Sequence, residues 1–219
     1  MADDKRILAF GDSLTWGWVP SDDFVPTTRY PLPQRWTGVM LEALGGGYEV
    51  VEEGLSGRTT NVDDPLDGRL NGAAYLPAAL ATHLPLDLVV ILLGTNDTKR
   101  YFAREPFDIA VGLADLLGAV AGSAGGVGTA YPAPAALVVA PPPLGELSDP
   151  WHREVFRGGK AKTEALPALY AGVAGTFGAA FLDAGEVTST DGVDGVHFTP
   201  ENNVALGRAI AERVAALLA

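Results

Sequence analysis

The residues that could do chemistry are few and far apart. Ser13 stands in Phe10-Gly11-Asp12-Ser13-Leu14-Thr15-Trp16-Gly17-Trp18, directly behind an apolar run. A serine hydroxyl is a weak nucleophile until a neighbouring base takes its proton. A serine after a strand is also a natural helix N-cap, so the stretch alone leaves both roles open. The chain has no cysteine and three histidines, His83, His152 and His197. Thiolate catalysis, disulfides and Cys-based metal sites are therefore excluded. A base for Ser13 has to be one of these imidazoles or a lysine. His197 follows Asp194 by three residues in a Gly-rich turn, Asp-Gly-Val-Asp-Gly-Val-His. A carboxylate there can accept one ring N–H and leave the other nitrogen as a base. A surface histidine in a capped loop is the plain alternative. His83, near a helix end, reads as structural. His152, in Asp-Pro-Trp-His-Arg-Glu-Val-Phe, reads as lid or surface.

Two further stretches offer hydrogen-bond donors. Gly94-Thr95-Asn96-Asp97 closes the most apolar run of the chain, and the Asn96 amide could donate to a developing oxyanion. An asparagine in a turn after a strand would look the same. Glu52-Glu53-Gly54-Leu55-Ser56-Gly57 carries two glycines that let the backbone approach a ligand and offer its N–H, or that make a tight turn.

The elements that must position these groups alternate in type. Apolar runs at Lys5–Phe10, Tyr48–Gly54, Leu86–Gly94, Ala136–Pro143 and Ala179–Gly185 read as strands. Helical spacing marks Arg35–Leu44, Ala73–His83, Phe107–Ala121 and Lys162–Phe177. A last helix starts at Thr199 as N-cap, with Pro200 and Glu201 in its first turn. Loops are expected at 20–34, 63–72 and 144–160, the last with some helix. Alternating strands and helices imply a three-layer α/β/α domain over residues 1–219, with a flavodoxin-like, doubly wound parallel sheet of about five strands. Sites in such sheets lie beyond the strands' carboxyl ends, where Ser13, Gly54, Asn96 and Asp183 fall.

Bulk properties narrow the function. The 219 residues carry a formal net charge of −12, which disfavours nucleic acid and anionic membranes as partners. The acidic start is not a signal peptide, and the apolar runs are far shorter than a membrane span. The expected location is cytoplasmic. No clustered His and carboxylate set suggests a metal, and serine chemistry needs none, so no cofactor is expected. The nucleophile elbow G-x-S-x-G is absent, because Thr15 stands two after Ser13. A nucleotide-binding module of flavodoxin-like shape lacks its phosphate loops here.

Together the four blocks, "GDSL", a Gly after the second strand, "GTND" and "DGVH", resemble those of the SGNH (GDSL) hydrolase family over essentially the whole chain. The wording around them, "FGDSLTWGWVP", "ATHLPLDLV", "LGTNDTK" and "STDGVDG", is similar to the mycobacterial arylesterase/acyltransferase subgroup. The resemblance implies Ser13 as nucleophile, His197 as base and Asp194 as its orienting acid. It implies an oxyanion hole of the Ser13 N–H, the Gly57 N–H and the Asn96 side chain. That subgroup can carry Ala where this chain has Gly57, and a backbone donor survives such a change. The implied activity is hydrolysis of small activated esters through an acyl-enzyme, with transfer to water, alcohols or peroxide. Carbohydrate deacetylation and lysophospholipid or thioester hydrolysis are alternatives within the family, and a non-catalytic binding module is the alternative outside it. Leu14, Trp16, Trp18 and Phe198 flank the catalytic residues and are expected to form an apolar mouth, with core packing as the alternative for the tryptophans. Asp12 and Thr95 count as further substrate-contact candidates, although Asp12 is expected to hold its turn rather than react. Loops 19–33, 63–72 and 144–160 are expected, on the resemblance, to make subunit contacts that narrow the active-site entrance in a homo-oligomer, with an octamer as the candidate state.

Overall fold

The structure, a computed structural model, describes residues 4–22 and 25–219. Met1–Asp3, at the start of the segment read as lacking a signal peptide, and Asp23 and Phe24 of the 19–33 loop lie outside the described residues. The chain runs β1 (Lys5–Gly11), α1 (Ser13–Trp16), α2 (Trp36–Leu44), β2 (Tyr48–Gly54), α3 (Gly72–His83), β3 (Leu88–Leu92), α4 (Pro106–Ala121), β4 (Ala135–Ala140), α5 (Pro150–Val155), α6 (Gly159–Phe177), β5 (Ala180–Asp183) and α7 (Pro200–Leu218). All strand pairs are parallel, in the order β2-β1-β3-β4-β5. This is the expected three-layer, doubly wound architecture. The order reverses between β1 and β3, so the crevice at their carboxyl ends is the natural ligand site.

Strand periodicity divides the core. Ile7 and Ala9 of β1, Leu88, Val90 and Leu92 of β3, and Leu137 and Val139 of β4 face one side, against Trp36 and Met40 of α2 and Leu206, Ile210 and Val214 of α7. Their alternates, including Phe10, Val89, Ile91 and Val138, face α3, α4 and α6 through Leu76, Leu113, Leu117 and Leu166. Both faces are covered, which is why the strands read as continuous apolar runs. Caps set the helix starts. Glu105 and Asp108 form a capping box on α4, with Pro106 at its first position. Thr199 and Asn202 do the same for α7. Asn203 then ties α7 to α2, since its Oδ1 accepts from the Trp36 N–H at 3.1 Å.

Several expectations need correction. The fourth strand stops at Ala140, before three prolines that have no N–H for the ladder, and the fifth ends at Asp183. The third strand is shorter than Leu86–Gly94, because Gly94 leaves β geometry at φ +125°. The helix expected from Lys162 starts at Gly159, behind a left-handed Gly158. Finally, Ser13 is not the N-cap of its helix. Asp12 is, accepting the Leu14 N–H at 2.9 Å, and Ser13 is the first helical residue. Its hydroxyl is thereby left for another partner.

Ile210 is wholly buried under α7, whereas Leu217 of the same helix is 39% exposed. Ile210→Ala should lower unfolding free energy by about 2–5 kcal/mol, and Leu217→Ala should change it far less. Urea denaturation of both variants measures the difference.

Candidate active site

The site starts from β1. At its end, Gly11 pairs in register with Gly54 of β2. A Cβ on Gly54 would run into the Trp16 backbone, so only glycine lets α1 close over the sheet edge. Ser13 opens α1 with its hydroxyl turned toward the chain segment before α7. There, Asp194 Oδ1 accepts the backbone N–H groups of Val196 and His197, each at 2.9 Å. Between them Gly195 takes φ +69°, a left-handed turn in which a Cβ would strike Glu146. Asp194 Oδ2 lies 2.8 Å from His197 Nδ1, and His197 Nε2 lies 2.9 Å from Ser13 Oγ. A carboxylate can only accept, so Nδ1 carries the proton and Nε2 faces the hydroxyl as an acceptor. The Trp18 ring stacks on the imidazole at 4.9 Å and holds its plane.

All three groups are buried: Ser13 is 6% exposed, Asp194 and His197 3% each. Burial lowers the His197 pKa below its usual 6.5, partly offset by Asp194, with His152 lowering it further. Burial alone would raise Asp194, but the hydrogen bond and charge of His197, with the two backbone donors, hold it below the usual carboxylate value. The imidazole is therefore neutral and able to take a proton at neutral pH.

The donor side is built by a second set of contacts. Asn96 follows β3, and its Nδ2 donates to Asp12 Oδ2 at 3.0 Å and to the Arg58 carbonyl at 3.2 Å. Both neighbours are acceptors, which fixes the amide with Nδ2 on this side. Gly57 sits at φ +90°, a conformation that disfavours an Ala at this position. Its loop is pinned by Asp97, which accepts from the Thr60 N–H at 2.9 Å and hydroxyl at 2.6 Å and pairs with Arg104 at 2.7 Å. Burial pushes Asp97 up to about 6 and Asp12 up to about 7; in each case hydrogen bonds and nearby cations pull back.

Ser13, Gly57, Asn96 and His197 line one cleft of about 320 Å³, with Asp194 behind His197. Of the residues expected at the mouth or in substrate contact, Trp18 is on its wall and the others are not. Asp12 and Thr95 are buried beneath it, and Leu14 and Phe198 pack into the core under α7. Trp16 turns toward Arg29, whose guanidinium lies 5.4 Å from the ring centre. The reason is geometric: residues next to a catalytic group in sequence point away from it on a tight turn. Asp183, at the end of β5, only caps the following turn through Gly185 N–H. His83 is structural, pairing with Glu53 at 2.9 Å. Leu66 of the 63–72 loop and Trp151, Val155 and Phe156 of the 144–160 segment are on the cleft wall, at the entrance expected for those loops though not named singly, and Lys99 and Tyr101 behind β3, which the sequence did not single out, are there too. Burial lowers the Lys99 ammonium pKa, against Asp64, Asp12 and Asp97, which raise it. Trp18 and His152 also line the cleft. No group of His and carboxylates able to hold a metal occurs among the described residues.

A buried serine, histidine and aspartate in line at the carboxyl edge of a doubly wound sheet is the geometry of a serine hydrolase. Residues 9–203 match the GDSL-like lipase/acylhydrolase family, and the chain belongs to that family as an esterase. Among solved structures it is similar to the M. smegmatis aryl esterase, at 60% identity and TM-score 0.96, over 97% of this chain and 99% of that one. It is also similar to Est24, a carbohydrate acetylesterase from Sinorhizobium meliloti, at 57% identity and TM-score 0.97, over 98% and 100%. A second carbohydrate acetylesterase family member from that organism is 37% identical, with TM-score 0.87, over 98% of this chain and 99% of that one. No match was found among curated proteins.

The lowered His197 pKa fixes the sign of one pH effect. A base must be neutral, so kcat/KM on an uncharged aryl ester should hold as pH falls through 6.5 and drop only below it. A pH–rate profile with its acid limb centred above 6.5 would contradict this placement of the base.

Proposed function

We propose that the protein is a serine esterase and acyltransferase for short-acyl esters of aryl alcohols and carbohydrates. The observation that carries this reading is the unbroken line from Asp194 through His197 to Ser13, with contacts of 2.8 and 2.9 Å. As Ser13 Oγ bonds to the ester carbonyl carbon, its proton passes to His197 Nε2 and the carbonyl electrons move onto oxygen. The oxyanion is met by the Ser13 and Gly57 N–H groups and by Asn96, which gives up the longer of its two bonds, that to the Arg58 carbonyl. The α1 N-terminus adds a small favourable field. When the carbonyl re-forms, the bond to the alcohol breaks and His197 returns its proton to the leaving oxygen. Water, an alcohol or peroxide then repeats the sequence on the acyl-enzyme, with His197 taking the proton of the attacking group.

The similarity to an aryl esterase and to a carbohydrate acetylesterase supports the ester class. The side chains of Trp18, Phe156 and Val196 on the cleft wall support transfer, because apolar groups bind water poorly. Turnover of an aryl acetate by wild type and Ser13→Ala, with and without a dilute primary alcohol, tests both halves. Wild type should yield acid and new ester, and Ser13→Ala should lose on the order of 10³ or more in kcat. Acid alone would remove the transferase half; equal rates in both proteins would remove the mechanism.

We further propose a homo-oligomer assembled through the 63–72 and 144–160 loops. Leu66 is 87% exposed and Trp151 73%, both at the mouth of the cleft, where water contact with large apolar groups is unfavourable. Light scattering should give a multiple of 22.8 kDa, and a mass equal to one chain would overturn the assembly.

A further inference from the structure

Among the described residues, Lys99 is the one lysine or arginine on the wall of the cleft, and no aspartate or glutamate joins it there. Its place is fixed by the same turn that carries Asn96. That 3-10 turn spans Asn96–Thr98, and the Lys99 N–H closes it on the Asn96 carbonyl at 3.1 Å. The turn that offers an amide to the oxyanion therefore also roots an ammonium beside it. The acyl-transfer steps make no use of that charge.

The charge of Lys99 is balanced in sum but not in contact. Asp64, Asp12 and Asp97 lie near enough to favour the ammonium. Each is already committed to other donors. Asp64 accepts the Leu66 N–H at 2.8 Å and the Tyr101 hydroxyl at 3.0 Å. Asp12 accepts from Leu14 and Asn96, and Asp97 accepts from Thr60 and Arg104. Among the described residues no carboxylate forms an ion pair with Lys99. The side chain is half-buried, and burial opposes its charge. An ammonium has three N–H donors, and a partly desolvated one gains when an anion meets them. The surroundings do not repel such an anion. Arg58 acts on Asp12 and Arg104 on Asp97, so these two cations and Lys99 offset the three carboxylates.

We propose that Lys99 seats a carboxylate carried by the substrate, so that the cleft takes esters with an anionic group on their acyl or alcohol side. This rests on the esterase reading above. The contact is a charge-assisted hydrogen bond between the ammonium and the carboxylate. No covalent bond changes there, and Ser13 attacks the ester carbonyl as before. Neutral aryl esters enter the same cleft without that contact.

The test pairs each anionic ester with its neutral primary amide: para-acetoxybenzoate with para-acetoxybenzamide, and phenyl hydrogen glutarate with phenyl glutaramate. The quantity read is the ratio of kcat/KM, carboxylate over amide, at neutral pH with the uncatalysed rate subtracted. Lys99→Met should lower that ratio about tenfold in at least one pair, and Lys99→Arg should keep most of it. The pair that responds tells which side of the ester carries the carboxylate. Wild type alone supplies a second check, because added salt should lower its ratio for that pair. If Lys99 serves only the acids beneath it, both members of each pair fall together and the ratios stay put, which would overturn the proposal. So would a wild-type ratio that salt does not move. In both cases turnover of the neutral amides leaves the esterase reading standing. If wild type turns over none of these esters, the esterase reading itself falls, and this proposal with it.

Discussion

The Asp12 carboxylate joins the ends of two neighbouring strands. One oxygen holds the first turn of α1 through the Leu14 N–H, and the other holds the Asn96 amide beyond β3. It does this at 1% exposure, where burial pushes its pKa up to about 7. A buried carboxylate is costly unless its oxygens are satisfied. Here both are, and the two contacts set the distance between the serine and one of its flanking donors. Neither partner could drift without leaving a buried acceptor unmet. Without that bridge, Ser13 and Asn96 would belong to separate loops on either side of the reversal in strand order.

Asp97 repeats the device one residue further along. It takes the N–H and hydroxyl of Thr60 and the guanidinium of Arg104, which brings the Gly57 loop onto the end of β3. Two adjacent positions, Asn96 and Asp97, therefore face opposite tasks: one reaches the cleft, the other fastens its wall. The polar groups most expensive to bury are gathered at the one edge of the sheet where they can be paired with each other, while both faces of the sheet stay apolar.

Much of this could be read from the residue types and their order. Continuous apolar runs gave away the buried strands, since a parallel sheet covered on both faces shows no alternation. Thr199, Pro200 and the residues after them marked α7 because capping is local chemistry. Ser13, Asp194 and His197 could be picked out as candidates because the chain holds few histidines and one follows an aspartate by three, but their assignment as a set came from the resemblance of the blocks. The individual side chains of the cleft wall were not legible, although two of the loops that supply them were expected at the entrance. Trp151, Tyr101 and Leu66 reach the site across loops, and no spacing rule connects them to Ser13. Sequence neighbours misled in the same way: Leu14, Thr95 and Phe198 adjoin functional residues and point into the core. The identity of the N-cap was also hidden, because Asp12 and Ser13 are both good caps and only the packed turn decides between them.

His197 stands three residues before α7, and its hydroxyl partner lies 184 positions earlier. The base is held beside α7, a helix that follows the strands carrying Ser13 and Asn96 in the chain and docks through Asn203 onto α2. Closing so long a loop has to wait for that helix. On the ribosome, the strands carrying Ser13 and Asn96 can pair while the imidazole is still unsynthesised. The proton acceptor thus joins the serine only after the segment that carries it has been made and α7 has seated on α2.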